Sequence, residues 1–367
     1  MKVPFFNYPK IYLDDKKSFN QIFERVATGG GFIMQEDLSN FEKEIATYCN
    51  CNYAIGVGNA TDALEMLVSI AGINKEHEVI LSSHTMVATA SAIYINGAKP
   101  IPVEIGDDHL IDVSSIINNL SPKTKAILVT QLNGRTANMD EILKIVDENN
   151  LILIEDSAQA LGSRFKGKHA GTFGFGGCIS FYPAKLLGCF GDGGMILVND
   201  KNIYEKLLLM RDHGRDPLSG DVVLWGRNSR LDNFQAAVLS HQFKYFEKTV
   251  NRRREIASIY NDELARIDSL ILPPPPNSND HYDVYQNYEL KALNRDNLRK
   301  FLNKNEIGTS IQWGGKALHH FKKLGFNQSL PNTDAAFKKM LMLPMNMSLT
   351  NDDVYYVCEK VEKFYAK

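Results

Sequence analysis

The sequence predicts an α/β protein, with a large domain over residues 1–245 and a smaller α+β domain over residues 246–367. Three observations carry this expectation. From residue 53, short β-branched runs alternate with stretches whose apolar residues recur at helical spacing, the pattern of βαβ units. After Asp156 the chain turns glycine-rich around Gly171-Thr172-Phe173-Gly174 and Gly191-Asp192-Gly193-Gly194, as tight turns near a ligand do. Four prolines, Pro273 to Pro276, then break any helix and begin a stiff, exposed connector with Asn277, Ser278, Asn279 and Asp280.

In chain order, residues 53–57 read as a strand and 61–71 as a helix, with Leu64, Leu67, Val68 and Ala71 on one face and Gly72 at its end. A strand over 79–82, a helix over 84–95 closed by Asn96-Gly97, and a strand over 101–104 follow. Residues 126–131, 142–148 and 151–155 repeat the cycle as strand, helix and strand, so at least two crossovers are expected. Short strands over 178–182 and 195–199 lie among the glycines. Leu239, Phe243, Phe246 and Val250, spaced four, three and four apart, predict one long helix over 232–265 leading out of the large domain. A strand over 285–291 and helices over 295–303 and 351–364 suffice for the small one.

Composition narrows the function. The 367 residues carry 41 Lys+Arg against 43 Asp+Glu, and 44% are apolar, so a disordered chain is excluded and no basic face for nucleic acid is expected. No apolar run approaches the roughly 18 residues of a membrane span, and residues 1–10 show no signal-peptide pattern, so the cytoplasm is the expected location. The five cysteines form an odd set without a CxxC pair, which indicates reduced thiols and no structural metal.

Gly56-Val57-Gly58-Asn59-Ala60-Thr61 lies between a strand and a helix, where backbone N–H groups can cradle a phosphate. Thr61 takes the place of the third glycine of a dinucleotide fingerprint, and the same turn reads equally as a tight corner capped by Asn59. Asp156 follows the apolar strand 151–155, at the strand end where open α/β sheets place ligands. Lys185 comes 29 residues later in the apolar, aromatic segment 180–188, which would lower its pKa and leave a nucleophilic amine. An acid, a desolvated lysine and a phosphate cradle are the fixtures of a pyridoxal phosphate site.

The segments 58–64, 155–160, 181–185 with 191–194, and Gly226-Arg227-Asn228-Ser229-Arg230-Leu231-Asp232 together resemble the DegT/DnrJ/EryC1/StrS family of nucleotide-sugar aminotransferases, in order and spacing over nearly the whole chain. The resemblance implies the fold-type I architecture of pyridoxal phosphate enzymes: a mostly parallel mixed sheet flanked by helices, then a small C-terminal domain. It implies an amino group moving from glutamate to the C3 or C4 keto group of a nucleotide-linked 6-deoxy sugar, for amino-sugar and surface polysaccharide synthesis. Lys185 would hold the cofactor and shuttle the proton, Asp156 would keep the ring nitrogen protonated, and Gln159 would bond the phenolic oxygen. Ala60, Thr61 and Ser180 would hold the phosphate. Asn228 would reach the phosphate of a neighbouring subunit, which implies a homodimer with shared sites. Met86 stands where the family usually stacks an aromatic ring on the cofactor, so a thioether contact is expected there.

Gln131 and Trp313 fall in regions near the sugar in that family, where this sequence departs from the common pattern, and are candidates for substrate contact. Arg230 either binds the donor carboxylate or a substrate phosphate, or forms a surface ion pair. Two other activities fit parts of the pattern. A same-fold sugar dehydratase would carry histidine in place of Lys185, and a nicotinamide-dependent sugar oxidoreductase would use the 56–61 turn.

Overall fold

The computed structural model of the chain describes residues 2–276, 278 and 280–366; Asn277 and Asn279 of the expected connector lie outside them. The chain opens with three helices that the periodicity argument, begun at residue 53, leaves out: α1 (Tyr8–Asp14), α2 (Lys16–Gly29) and α3 (Glu36–Cys49). α3 turns Leu38, Phe41, Ile45 and Cys49 inward, a three-four-four spacing already present in the sequence.

The expected alternation follows as β1 (Tyr53–Val57), α4 (Ala60–Ile70), β2 (Glu78–Ser82), α5 (Val87–Ile95), β3 (Lys99–Val103), α6 (Val113–Asn118), β4 (Thr124–Thr130), α7 (Met139–Glu148) and β5 (Ile152–Asp156). A small hairpin of β6 (Arg164–Phe165) and β7 (Lys168–His169) precedes β8 (Gly176–Ser180), β9 (Gly194–Val198) and α8 (Lys201–Arg211). The large sheet has the order β1-β9-β8-β5-β4-β2-β3. Its strands from β8 to β3 are parallel, while β9 runs antiparallel to both neighbours. Side chains alternate across it: Ala126 and Leu128 of β4 enter the core under α4 and α5, and Ile127 and Val129 enter the core under α7. With both faces covered, such strands are nearly continuous apolar runs, which is why they were legible.

Three expected elements shift. The helix placed over 84–95 begins only at Val87, because the side chains of His84 and Thr85 are drawn to Glu289 and Thr130. The single helix over 232–265 is two, α9 (Asn233–Phe243) and α10 (Phe246–Leu264). Its apolar spacing runs unbroken through the corner because Phe243 and Phe246 stack there, with ring centroids 5.7 Å apart, against one core. The strand expected over 285–291 is delayed to 288 by Tyr285, whose φ of 51° lies in the left-handed region.

The smaller sheet joins β10 (Leu270–Ile271), β12 (Tyr288–Ala292) and β13 (Met340–Leu343), while β11 (His281–Tyr282) pairs with β6. Helices α11 (Arg295–Lys304), α12 (Pro331–Phe337) and α13 (Asn351–Tyr365) complete the C-terminal part. Tyr260, Tyr288, Leu298 and Val357 share a core there, which Val3 enters from the far end of the chain. α10 serves two cores, giving Phe246 and Val250 to the large one and Ile256 and Leu264 to the small one. The proline connector is less exposed than expected: Pro276 is buried, and the carbonyls of Pro273 and Pro274 accept hydrogen bonds from Asn261 and Tyr285. Among the described residues no helix is long and apolar enough to cross a membrane, and all five cysteines are free.

Candidate active site

Asp156 is the last residue of β5, in register with Thr130 at the end of β4. Its carboxylate is buried, and the groups around it all donate. Thr130 donates to Thr85 at 2.8 Å, Thr85 and Thr89 are 2.8 Å apart, and Thr89 donates to Asp156 Oδ2 at 2.6 Å. Because the Thr89 proton goes to the carboxylate, Thr89 must accept from Thr85, so the three hydroxyls form one chain directed at Asp156. The Ala158 N–H donates to the other oxygen at 3.2 Å. Both carboxylate oxygens therefore meet donors.

Lys185 sits in the turn after β8, its N–H bonded to the Tyr182 carbonyl at 2.8 Å. Dense surroundings push its pKa down to about 8, against the pull of Asp156. Its amine makes no hydrogen bond or ion pair among the described residues. A lysine held this way keeps a large neutral fraction near pH 8 and can act as a nucleophile.

Opposite stands the N-terminus of α4. Asn59 caps it by accepting the Asp62 N–H at 2.8 Å, so the capping reading of the 56–61 turn holds. Ser229 ties the turn down, accepting the Gly58 N–H at 3.0 Å and donating to Asp62 at 2.6 Å. Gly194 lets the helix start lie directly on β9: a Cβ there would come 2.4 Å from Asn59 C and 2.6 Å from Ala60 N. The helix dipole and first-turn amides suit an anion at this end.

Between these groups lies a cavity of about 420 Å³. Of the residues singled out from sequence, Ala60, Thr61, Met86, Asp156, Gln159, Ser180, Lys185 and Trp313 line it. Three do not. Gln131 is fully buried behind the sheet, donating to Glu155 at 2.8 Å and accepting the Ala137 N–H at 2.7 Å. Strand alternation turns Thr130 to the cavity and its neighbour Gln131 away, which corrects the expected substrate contact. Arg230 is ion-paired with Asp212 at 2.8 Å, the second of its two readings, and does not reach the cavity. Asn228 also lies away from the cavity of its own chain, bridged to Asp212. Thr85, Thr89 and Thr130 were missed. Thr85 and Thr89 are four apart and share a helical spacing, but nothing local aims them at Asp156.

The residues present fit pyridoxal phosphate: an amine without a partner among the described residues, a buried acid that meets donors and a helix N-terminus line one cavity of ligand size. The family model of the DegT/DnrJ/EryC1/StrS aminotransferases matches residues 13–362. The dTDP-3-amino-3,4,6-trideoxy-alpha-D-glucose transaminase of Streptomyces venezuelae is 32% identical, covering 99% of this chain and 96% of its own. The crystal structure of DesV from S. venezuelae covers 100% of this chain and 99% of its own, with a TM-score of 0.95 and 32% identity. A Bacillus subtilis structure, ntda with bound cofactor PMP, covers 100% of this chain and 85% of its own at a TM-score of 0.92 and 26% identity. A match over nearly the whole length, around an intact lysine and acid, sets aside the dehydratase and nicotinamide readings: the chain belongs to the DegT/DnrJ/EryC1/StrS aminotransferase family.

Proposed function

We propose that this chain, a pyridoxal-phosphate-dependent nucleotide-sugar aminotransferase, moves an amino group from glutamate to the C3 keto group of a nucleotide-linked 6-deoxy sugar. The observation that carries the reading is the placement of Lys185 and Asp156 on one cavity that opens at the start of α4. C3 is preferred to C4 because the S. venezuelae relative is named for a 3-amino sugar. The proposed substrates, a nucleotide-linked sugar and glutamate, support a cytoplasmic location.

In this reading Thr61, Ala60 and Ser180 hold the phosphate at the helix N-terminus. Asp156 keeps a positive charge on the ring nitrogen, Met86 covers the ring, and Gln159 donates to the phenolic oxygen. Bound there, the cofactor supplies an electron sink for the pair left when the donor's Cα–H bond breaks. Lys185 would take that proton from the donor's Cα and, in the second half of the exchange, deliver a proton to the sugar carbon that receives the amino group. Trp313 walls the space left for the sugar. Assaying nucleotide-linked 3-keto and 4-keto sugars with glutamate, and weighing the products, tests the proposal. An amino sugar from the 3-keto substrates is expected; amination confined to 4-keto sugars, or none at all, overturns it.

The site is proposed to be completed by a second copy of the chain. Asn228 stands at the base of an arm whose Leu218 and Trp225 are each 96% exposed, apolar surface that favours a partner. Tyr182, half of it exposed, also lines a groove with Tyr8, Ile11 and Phe190 beside the cavity. If Asn228 serves the neighbour's phosphate, mixing Lys185→Ala chains with Asn228→Ala chains regenerates activity, because one site of each mixed dimer is assembled from intact halves. Verified heterodimers that stay as inactive as their parents would show Asn228 to act within its own chain.

A further inference from the structure

We propose that Glu289 is a positioning residue that holds, through Asn133 and Gln312, the Gln159 amide with its NH2 end toward the cofactor cavity. The inference rests on the reading of Gln159 as a cofactor ligand. Glu289 lies fully inside on β12, and its Oε2 receives His84 Nε2 at 3.0 Å, His109 Nδ1 at 3.1 Å, Asn133 Nδ2 at 3.0 Å and Gln312 Nε2 at 3.2 Å. Its Oε1 has no partner among the described residues. Burial opposes the charge, but His84 and His109 hold the carboxyl well below the usual carboxylate range. An ionised carboxylate only accepts, so each neighbour must turn a donor toward it.

Polarity then propagates from residue to residue. Gln312 spends Nε2 on Glu289 and on Asn133 Oδ1 at 2.6 Å, which leaves its Oε1 to accept from Gln159 Nε2 at 3.3 Å. Gln159 Oε1 accepts the Asn133 N–H at 2.9 Å and Asn287 Nδ2 at 3.3 Å. A peptide N–H can only donate, so this orientation does not depend on how the amide ends are told apart. The second Nε2 hydrogen of Gln159 therefore remains for the cavity, where an anionic oxygen needs a donor.

The same cluster places three possible metal-ligand atoms, from His84, His109 and Glu289, within 4.8 Å of one another. Trp313 Nε1 is a donor only and lies 3.1 Å from His84 Nδ1, so the His84 proton is on Nε2. That nitrogen offers Glu289 a hydrogen rather than a lone pair to an ion. The cluster is a hydrogen-bonded hub that joins the two sheets: residues 84 and 133 lie in loops beside the large one, Glu289 is on strand β12 of the small one and Gln312 lies beside it.

The test uses the full chain freed of cofactor and titrated with pyridoxal phosphate by absorbance. Gln312→Met cuts the relay but leaves the buried charge, and should weaken cofactor binding about tenfold, as loss of one oriented hydrogen bond does. Gln159→Met should weaken it similarly, and the double variant no further, because both remove one donor. Glu289→Met should match Gln312→Met, whereas Glu289→Gln keeps an acceptor oxygen before the four donors and should restore most of the affinity. If Glu289→Met does not fold, the cycle between Gln312 and Gln159 decides alone. A double variant weakened about a hundredfold, the product of the two single losses, overturns the relay and leaves Gln159 a ligand. No effect of Gln159→Met overturns the ligand reading and the relay with it, and a wild-type chain that takes up no cofactor overturns the functional reading itself.

Discussion

Lys185→Ala is expected to abolish turnover in a protein that stays folded, with a loss of roughly 10⁴-fold or more, since in the proposed reading it removes both the covalent anchor and the proton carrier. The two halves of this expectation have separate grounds in the structure. Chemistry fails because the Lys185 amine and Asp156 line one cavity, and no other lysine among the described residues lines it. Folding survives because the amine makes no hydrogen bond or ion pair among the described residues, so its removal strands no partner. Circular dichroism and the thermal midpoint check the fold; borohydride reduction followed by peptide mapping checks the attachment. A reduced adduct on another lysine would sink the assignment. The pH dependence has a definite sign. The neutral amine is the nucleophile, so with a pKa lowered to about 8, cofactor uptake by the wild-type chain should accelerate as pH rises and level off above about 8. An unperturbed lysine would keep accelerating toward pH 10.

Asp156→Asn keeps the shape and loses the charge, and the expected cost is roughly 10²-fold or more in kcat with cofactor still bound. The Thr89 hydroxyl, at the end of the Thr130–Thr85–Thr89 chain, and the Ala158 N–H donate to the two oxygens of this carboxylate. Asparagine meets those donors with only one acceptor atom, so the Thr130–Thr85–Thr89 chain is left partly frustrated while the ring nitrogen loses its counter-charge. Single-turnover rates with glutamate alone isolate the step that depends on the charge. Near-normal rates would show that the carboxylate serves the strand end and not the cofactor.

Lys185, Asp156 and the α4 cap were legible in the sequence because each depends on residues close by. An apolar run ending in an acid marks the carboxyl end of a strand, Asn59 caps the helix it precedes, and the segment 180–188 carries its own desolvating neighbours. The alternation of strands and helices was legible for the same reason, since burial on both faces writes a continuous apolar run. The helices of residues 8–49 had a readable signal in Leu38, Phe41, Ile45 and Cys49, and fell outside a reading begun at residue 53. Other features were decided only by the folded chain. Gln131 and Thr130 differ by one residue, and strand register alone turns one to the cavity and the other to Glu155. Arg230 finds Asp212, the predicted long helix breaks where Phe243 and Phe246 stack, and Thr89 meets Asp156 from 67 residues away. Glu289 gathers donors from residues 84, 109, 133 and 312, a set with no shared spacing. Spacing and capping act over one or two turns of chain, whereas these contacts exist only once the sheet order has brought distant loops to the same strand ends, where a buried charge must be satisfied by whatever donors the topology delivers.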